Sequence, residues 1–217
     1  MKRILKSLLI FVAFLGISYF FFHLDLDNDF WHGDDFLLLS HGLRMSEDRH
    51  AVFDTQAPYK FHPLAYGISY LLFSNLFFEP RGYFLFNILL HGLNSYLVYL
   101  LVRTLLRDRT IALLSGLLFL FTVGSNGKTV IIASGLEDLV VTTLTLCTMI
   151  FYFKSELSER GKGSAAWYLL SLVFFVLCML TKSTSFSILG AFLAFNYFFR
   201  KDTGRRVVTT HFLVLLV

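Results

Sequence analysis

Apolar residues fall along this chain in long unbroken blocks, not at the alternating period of a half-buried strand. The blocks lie at about 4–22, 64–78, 82–102, 110–123, 129–153, 166–181, 184–199 and 207–217, and the one long polar stretch is 23–63. About 20 helical residues cross the hydrocarbon core of a bilayer. Backbone polar groups in that core are satisfied only within helices or a closed barrel. Unbroken blocks of this length predict an all-α fold, a polytopic transmembrane helical bundle.

Charge decides which blocks cross. Lys2, Arg3 and Lys6 precede the first block, and no small-x-small site follows Tyr19-Phe20-Phe21-Phe22-His23. The block therefore predicts an uncleaved signal anchor with its N-terminus in the cytoplasm. If all eight blocks crossed, the cytoplasm would hold six of the nineteen lysines and arginines: Lys2, Arg3, Lys6, Arg81, Lys128 and Lys182. That opposes the bias of basic residues toward the cytoplasm. Block 64–78 is short, starts after Pro63 and ends at Glu79-Pro80. Laid in the interface, it inverts everything after it. Arg103, Arg107, Arg109, Lys154, Arg160, Lys162, Arg200, Lys201, Arg205 and Arg206 then join the first three inside, thirteen of nineteen, and eleven of the fifteen acidic residues face outward. The expectation is one membrane domain over 1–217, with spans at 4–22, 82–102, 110–123, 129–153, 166–181, 184–199 and 207–217. Residues 23–81 form one outer loop carrying interfacial helices, with 64–78 among them.

Composition agrees and removes some functions. The chain is 56% hydrophobic and 16% charged, with 26 Phe, whereas soluble domains are about a quarter charged. Its net charge of +4 sits in short clusters between blocks, a membrane-orientation pattern that excludes nucleic acid as a partner. Cys147 and Cys178 lie inside apolar blocks without metal-ligand spacing. The host is expected to be a bacterial inner membrane or an ER-type membrane.

Polar residues within or beside the blocks are the candidates for chemistry. Gly33-Asp34-Asp35 precedes Phe36-Leu37-Leu38-Leu39, a short amphipathic helix lying on the membrane. Its aspartates serve either as N-terminal caps or as a general base or cation ligand at headgroup depth. Asp25-x-Asp27-x-Asp29 starts like a calcium loop but has Phe30 and Phe36 where Gly and Glu are required. His32, His41 and His50 are expected to be solvated loop residues. Gly127-Lys128-Thr129 lacks the earlier glycine of a phosphate loop, Thr122 standing there. Tyr83, Asn87, His91 and Asn94 make one polar helical stripe, either interhelical hydrogen-bond glue or a cavity lining. Glu137 and Asp138 lie inside an apolar block, and acids there are costly unless paired or solvated. Lys128 and Lys182 are the available counter-charges, and a structural salt bridge is the alternative to a site.

Four stretches together resemble the GT-C superfamily of integral-membrane glycosyltransferases, in particular the protein O-mannosyltransferase branch. They are Asp34-Asp35, Phe61-His62-Pro63-Leu64, Phe86-Asn87 through His91-Gly92-Leu93-Asn94, and Ala133-Ser134-Gly135-Leu136-Glu137-Asp138-Leu139 followed by Leu180-Thr181-Lys182. The resemblance covers about residues 1–200. Departures are Gly124-Ser125 and Lys128 in place of His-Pro and Glu, Leu136 in place of Arg, and Ser183 in place of Glu. The chain stops inside an apolar block, so it is expected to be a partial or truncated member.

The resemblance implies inverting transfer of a hexose from a polyprenyl-phosphate sugar to a protein or glycan acceptor on the non-cytoplasmic side. It implies Asp34 or Asp35 as the catalytic base, with Lys60, His62, Arg81 and Lys182 facing the leaving phosphate. Glu137 and Asp138 would orient these cations or hold sugar hydroxyls, and Asn87, His91 and Asn94 would line the substrate cavity. No cofactor is implied beyond the donor, although a divalent cation is compatible with the acids. The alternatives are a non-catalytic assembly subunit, a degenerate fragment of such an enzyme, or a small-solute or lipid transporter. Internal repeats, expected of a transporter, are not found between the halves.

Overall fold

The computed structural model describes residues 2–27, 33–53, 61–122, 128–158 and 162–199. Among them every element is helical: α1 (Lys2–Phe22), α2 (Gly33–Glu47), α3 (Pro63–Leu76), α4 (Pro80–Leu106), α5 (Arg109–Thr122), α6 (Lys128–Ile131), α7 (Leu136–Leu157), α8 (Lys162–Thr181) and α9 (Ile188–Phe199). Short 3₁₀ turns add His23–Asp27, Arg49–Phe53, Ala133–Gly135 and Ser183–Ser187. The protein is an all-α polytopic bundle.

Four helical stretches are long and apolar enough to cross a membrane: Ile4–Asp27, Pro80–Leu106, Ala133–Leu157 and Ser164–Thr181. Two shorter apolar helices, Arg109–Thr122 and Ser185–Phe195, correspond to the expected spans 110–123 and 184–199. The 14 residues of α5 and of α3 extend each helix about 21 Å, short of the ~30 Å hydrocarbon core. The expected span 207–217 lies outside the described residues.

Local chemistry sets the helix ends. Pro80 occupies the first turn of α4, where its missing N–H is no loss, and Arg107 closes the helix with φ 58°. Asp108 caps α5, its Oδ1 accepting the N–H groups of Thr110 (2.7 Å) and Ile111 (3.0 Å).

α4 is the central helix, and the residue pairs it makes fix the direction of its neighbours. Ser18 donates to the Ile88 carbonyl (2.7 Å) and Ser7 meets Tyr96 (2.6 Å), so α1 runs antiparallel to α4. His91 Nε2 donates to the Leu120 carbonyl (3.1 Å), while a Cβ on Gly116 would stand 2.9 Å from the Ser95 carbonyl. α5 is therefore also antiparallel, in close backbone contact that glycine permits. Asn87 bonds the Ile132 carbonyl (2.7 Å) and Asn94 the Leu139 carbonyl (3.0 Å), an equal step on both chains, so α4 and α7 run parallel. α8 returns antiparallel to α7: Phe151 stacks on Trp167 and Ser155 bonds Ser164. Tyr152 and Phe153 meet Phe175, Phe192 and buried Cys178 in the largest apolar cluster.

These directions bring the C-terminus of α1, the N-termini of α4 and α7 and the C-terminus of α8 to one end of the bundle. The Arg81–Asp27 ion pair (2.8 Å) joins the end of the first apolar stretch to the start of α4. α2 and α3 cap this end, with Leu38, Leu39 and Phe73 packed on Tyr83, Phe84 and Ala133. Large apolar side chains stay exposed on the outer faces, including Leu8, Val12, Phe20, Leu114 and Leu118, as a lipid-facing surface requires.

Candidate functional site

A cavity of about 390 Å³ opens between the α2–α3 cap and the end of the bundle. One face of α2 supplies Asp34, Leu37, Leu38 and His41, at helical spacing i, i+3, i+4, i+7. His62 is the N-cap residue of α3, whose first half supplies Tyr66 and Ser69, while Thr129 comes from α6 and Ile132, Ser134 and Gly135 from the turn before α7. Glu137 and Asp138 open α7, and Lys182 follows α8.

The acidic pair divides. Adjacent helical residues point about 100° apart, and of the two aspartates only Asp34 lines the cavity. Asp34 is exposed and lines it. Asp35 is 1% exposed, and its Oδ1 accepts the Ser134 N–H at 2.8 Å. Asp35 thus ties α2 to the turn carrying Ser134 through a side-chain-to-backbone bond.

Glycine makes that turn possible. A Cβ on Gly135 would collide with the Thr129 carbonyl, so the backbone of the turn lies directly on α6. Two asparagines of α4 hold the turn and the helix that follows. Asn87 grips it at Ile132 and Asn94 at Leu139, on either side of Glu137 and Asp138. Thr143 adds a hydroxyl that bonds both Asn94 Oδ1 (2.7 Å) and the Leu139 carbonyl (2.9 Å).

The polar stripe of α4 was expected either to glue helices or to line a cavity, and its bonds go to neighbouring backbone. Asn87, His91 and Asn94 are buried and bond carbonyls of α5, α7 and the preceding turn, and they do not line the cavity. Tyr83 Oη likewise donates to the Phe77 carbonyl (2.9 Å). Nonpolar surroundings leave these donors no water, so each finds a carbonyl.

Acids and bases pair across the cavity. Lys182 Nζ bonds Asp138 Oδ1, and His62 Nδ1 lies 3.4 Å from Glu137 Oε2. Lys182 is the one lysine or arginine among the described lining residues. Arg81, expected at a leaving phosphate, does not line the cavity and pairs with Asp27, the two side chains being 67% and 74% exposed. Lys60 lies outside the described residues, as do His32 and the side chain of Lys128.

His41 corrects an expectation. It is not a solvated loop residue but 3% exposed within α2, its ring 4.1 Å from that of Tyr66. A count from Asp34 at helical period would have placed it on the cavity face. Among the described residues no group of three or more His, Cys, Asp and Glu is arranged to hold a metal ion.

Fold and site together define a multi-pass helical membrane protein with a charged cavity under a two-helix cap at one end of its bundle. The sequence model of the dolichyl-phosphate-mannose-protein mannosyltransferases matches residues 61–217, and the chain belongs to that family of GT-C-type membrane glycosyltransferases. No curated protein and no solved structure matches it. The matched stretch contains His62, Glu137, Asp138 and Lys182, whereas Asp34 and Asp35 precede it.

Proposed function

We propose that the cavity is the transfer site of a polyprenyl-phosphate-dependent mannosyltransferase-like enzyme, open to the non-cytoplasmic side with the N-terminus in the cytoplasm. One observation carries the reading: an exposed carboxylate, Asp34, and a cation, Lys182, line one cavity where membrane helices end.

A hydroxyl acceptor is a poor nucleophile until a positioned base takes its proton as the bond to the sugar forms. Asp34 is that base. The departing lipid phosphate gains negative charge at the same moment, and a preorganised cation stabilises it. Lys182 fills this role, held in place by Asp138. His62, oriented by Glu137, offers a further N–H donor. Attack from the face opposite the phosphate inverts the sugar's configuration. Asp35 positions the site through Ser134 and takes no part in the proton transfer.

The side of the membrane follows from charge. The Arg81–Asp27 pair supports a loop 23–81 that leaves and re-enters at one face. The cluster Arg103, Arg107 and Arg109 then belongs to the cytoplasm.

The test is a transfer assay with radiolabelled polyprenyl-phosphate mannose, comparing Asp34→Asn with Asp35→Asn. Loss of a general base lowers turnover by roughly 10²–10⁴-fold, so Asp34→Asn is expected to retain donor binding and lose turnover on that scale. Undiminished turnover in Asp34→Asn rejects the assignment.

A further inference from the structure

A second cavity, of about 270 Å³, lies at the other end of the bundle, lined by Lys6, Ser7, Leu9, Ile10, Tyr99, Arg103 and Arg109. Asn87 and Arg103 are separated along α4 by about 24 Å, so the two cavities lie at opposite ends of the bundle.

Three cationic side chains from three helices converge on this space, and among the described residues no carboxylate lines it. Like charges brought together repel unless an anion joins them. The nearest acid in sequence, Asp108, is engaged as the α5 cap through Thr110 and Ile111. Arg103 is held in position by Tyr99, whose Oη accepts from Nη1 at 3.0 Å and whose ring lies 5.8 Å from the guanidinium carbon. Ser7 and Tyr96 bond beside it at 2.6 Å.

The remaining wall is apolar. Leu9 and Ile10 line the cavity, and Leu5, Leu8, Leu9 and Val12 continue from it along α1 as exposed residues. A cationic pocket that opens onto a lipid-facing apolar strip has the chemistry of an anionic lipid: phosphate in the pocket, acyl chains on the strip. A free anion would use the cations and leave the strip unexplained.

We propose that this cavity binds the phosphate of an anionic phospholipid, held by Lys6, Arg103 and Arg109, with its acyl chains along α1. Basic pockets between membrane helices recognise such headgroups. The site lies apart from the transfer cavity and is a binding site, not a second catalytic one.

The experiment uses the full chain in nanodiscs of phosphatidylcholine with or without phosphatidylglycerol, read by thermal midpoint and by retained lipid in native mass spectrometry. Phosphatidylglycerol is expected to be retained selectively and to raise the midpoint. Lys6→Gln with Arg109→Gln removes two exposed charges while keeping the Arg103–Tyr99 contact. It is expected to cut the anionic preference roughly tenfold to thirtyfold. Lys6→Glu alone supplies the same comparison with a single exposed exchange should the double variant fail to fold. An unchanged preference in these variants overturns the site. A separate arm adds inorganic phosphate to phosphatidylcholine discs. If phosphate reproduces the full effect, the ligand is a free anion and the lipid assignment falls.

Discussion

Asn94 offers the sharpest test of how the helix frame holds the cavity. It is fully buried, donates to the Leu139 carbonyl at 3.0 Å and accepts from Thr143 at 2.7 Å. Asn94→Ala deletes both bonds, yet the Leu139 carbonyl keeps Thr143 as a donor, so no acceptor is orphaned. Interhelical hydrogen bonds in membranes contribute about 0.6 kcal/mol on average and at most about 1.7. Two of them set the cost of Asn94→Ala at roughly 1–3 kcal/mol. Asn94→Asp preserves shape but sets a carboxylate oxygen against the Leu139 carbonyl, where an N–H had been. An aspartate at the centre of a membrane helix costs about 2.5–3.5 kcal/mol even in the milder scales, and the lost donor adds to it. The near-isosteric change is therefore expected to destabilise more than the truncation. Thermal or denaturant unfolding of the full chain in matched micelles measures the order. If Asn94→Asp is as stable as Asn94→Ala at a pH that ionises the new carboxyl, the asparagine does not act as a donor to α7 and the clamp is wrong.

Other outcomes follow from the same geometry. Gly135→Ala is expected to lower the thermal midpoint and disturb the cavity, because its Cβ meets the Thr129 carbonyl; an unchanged midpoint would show that the turn yields freely. Arg81→Ala removes an ion pair whose partners are mostly exposed, and such pairs contribute about 0–1 kcal/mol. Its donor KM should match that of the native chain, and a large rise would return Arg81 to the phosphate. Cysteine in place of Leu106, an exposed residue at the C-terminal end of α4, should react with impermeant maleimide only from the cytoplasmic side; labelling from outside alone would reverse the orientation.

Much of the architecture is legible along the chain, because the bilayer imposes one-dimensional constraints. Block length against hydrocarbon thickness, and the cost of placing charge in it, mark α1, α4, α7 and α8 without reference to any contact. Those constraints also single out Glu137, Asp138 and Lys182, since charges beside or inside apolar blocks need a partner. What the sequence by itself could not decide is which partner each polar group takes. Only the fold sends Asp35 to the Ser134 backbone, ninety-nine positions away, leaves Asp34 facing the cavity, and turns Asn87 onto the turn before α7 and Asn94 onto α7 in place of a ligand. His41 stands on the cavity face only because the stretch after Gly33 is helical and docks on α3. Arg81 is drawn to Asp27 because α1 and α4 run antiparallel. Hydrophobicity belongs to each residue and adds along the chain, whereas a hydrogen bond depends on the rotation and neighbours of two helices at once. The membrane bundle is therefore written in the blocks, and the cavity exists only once the helices have met.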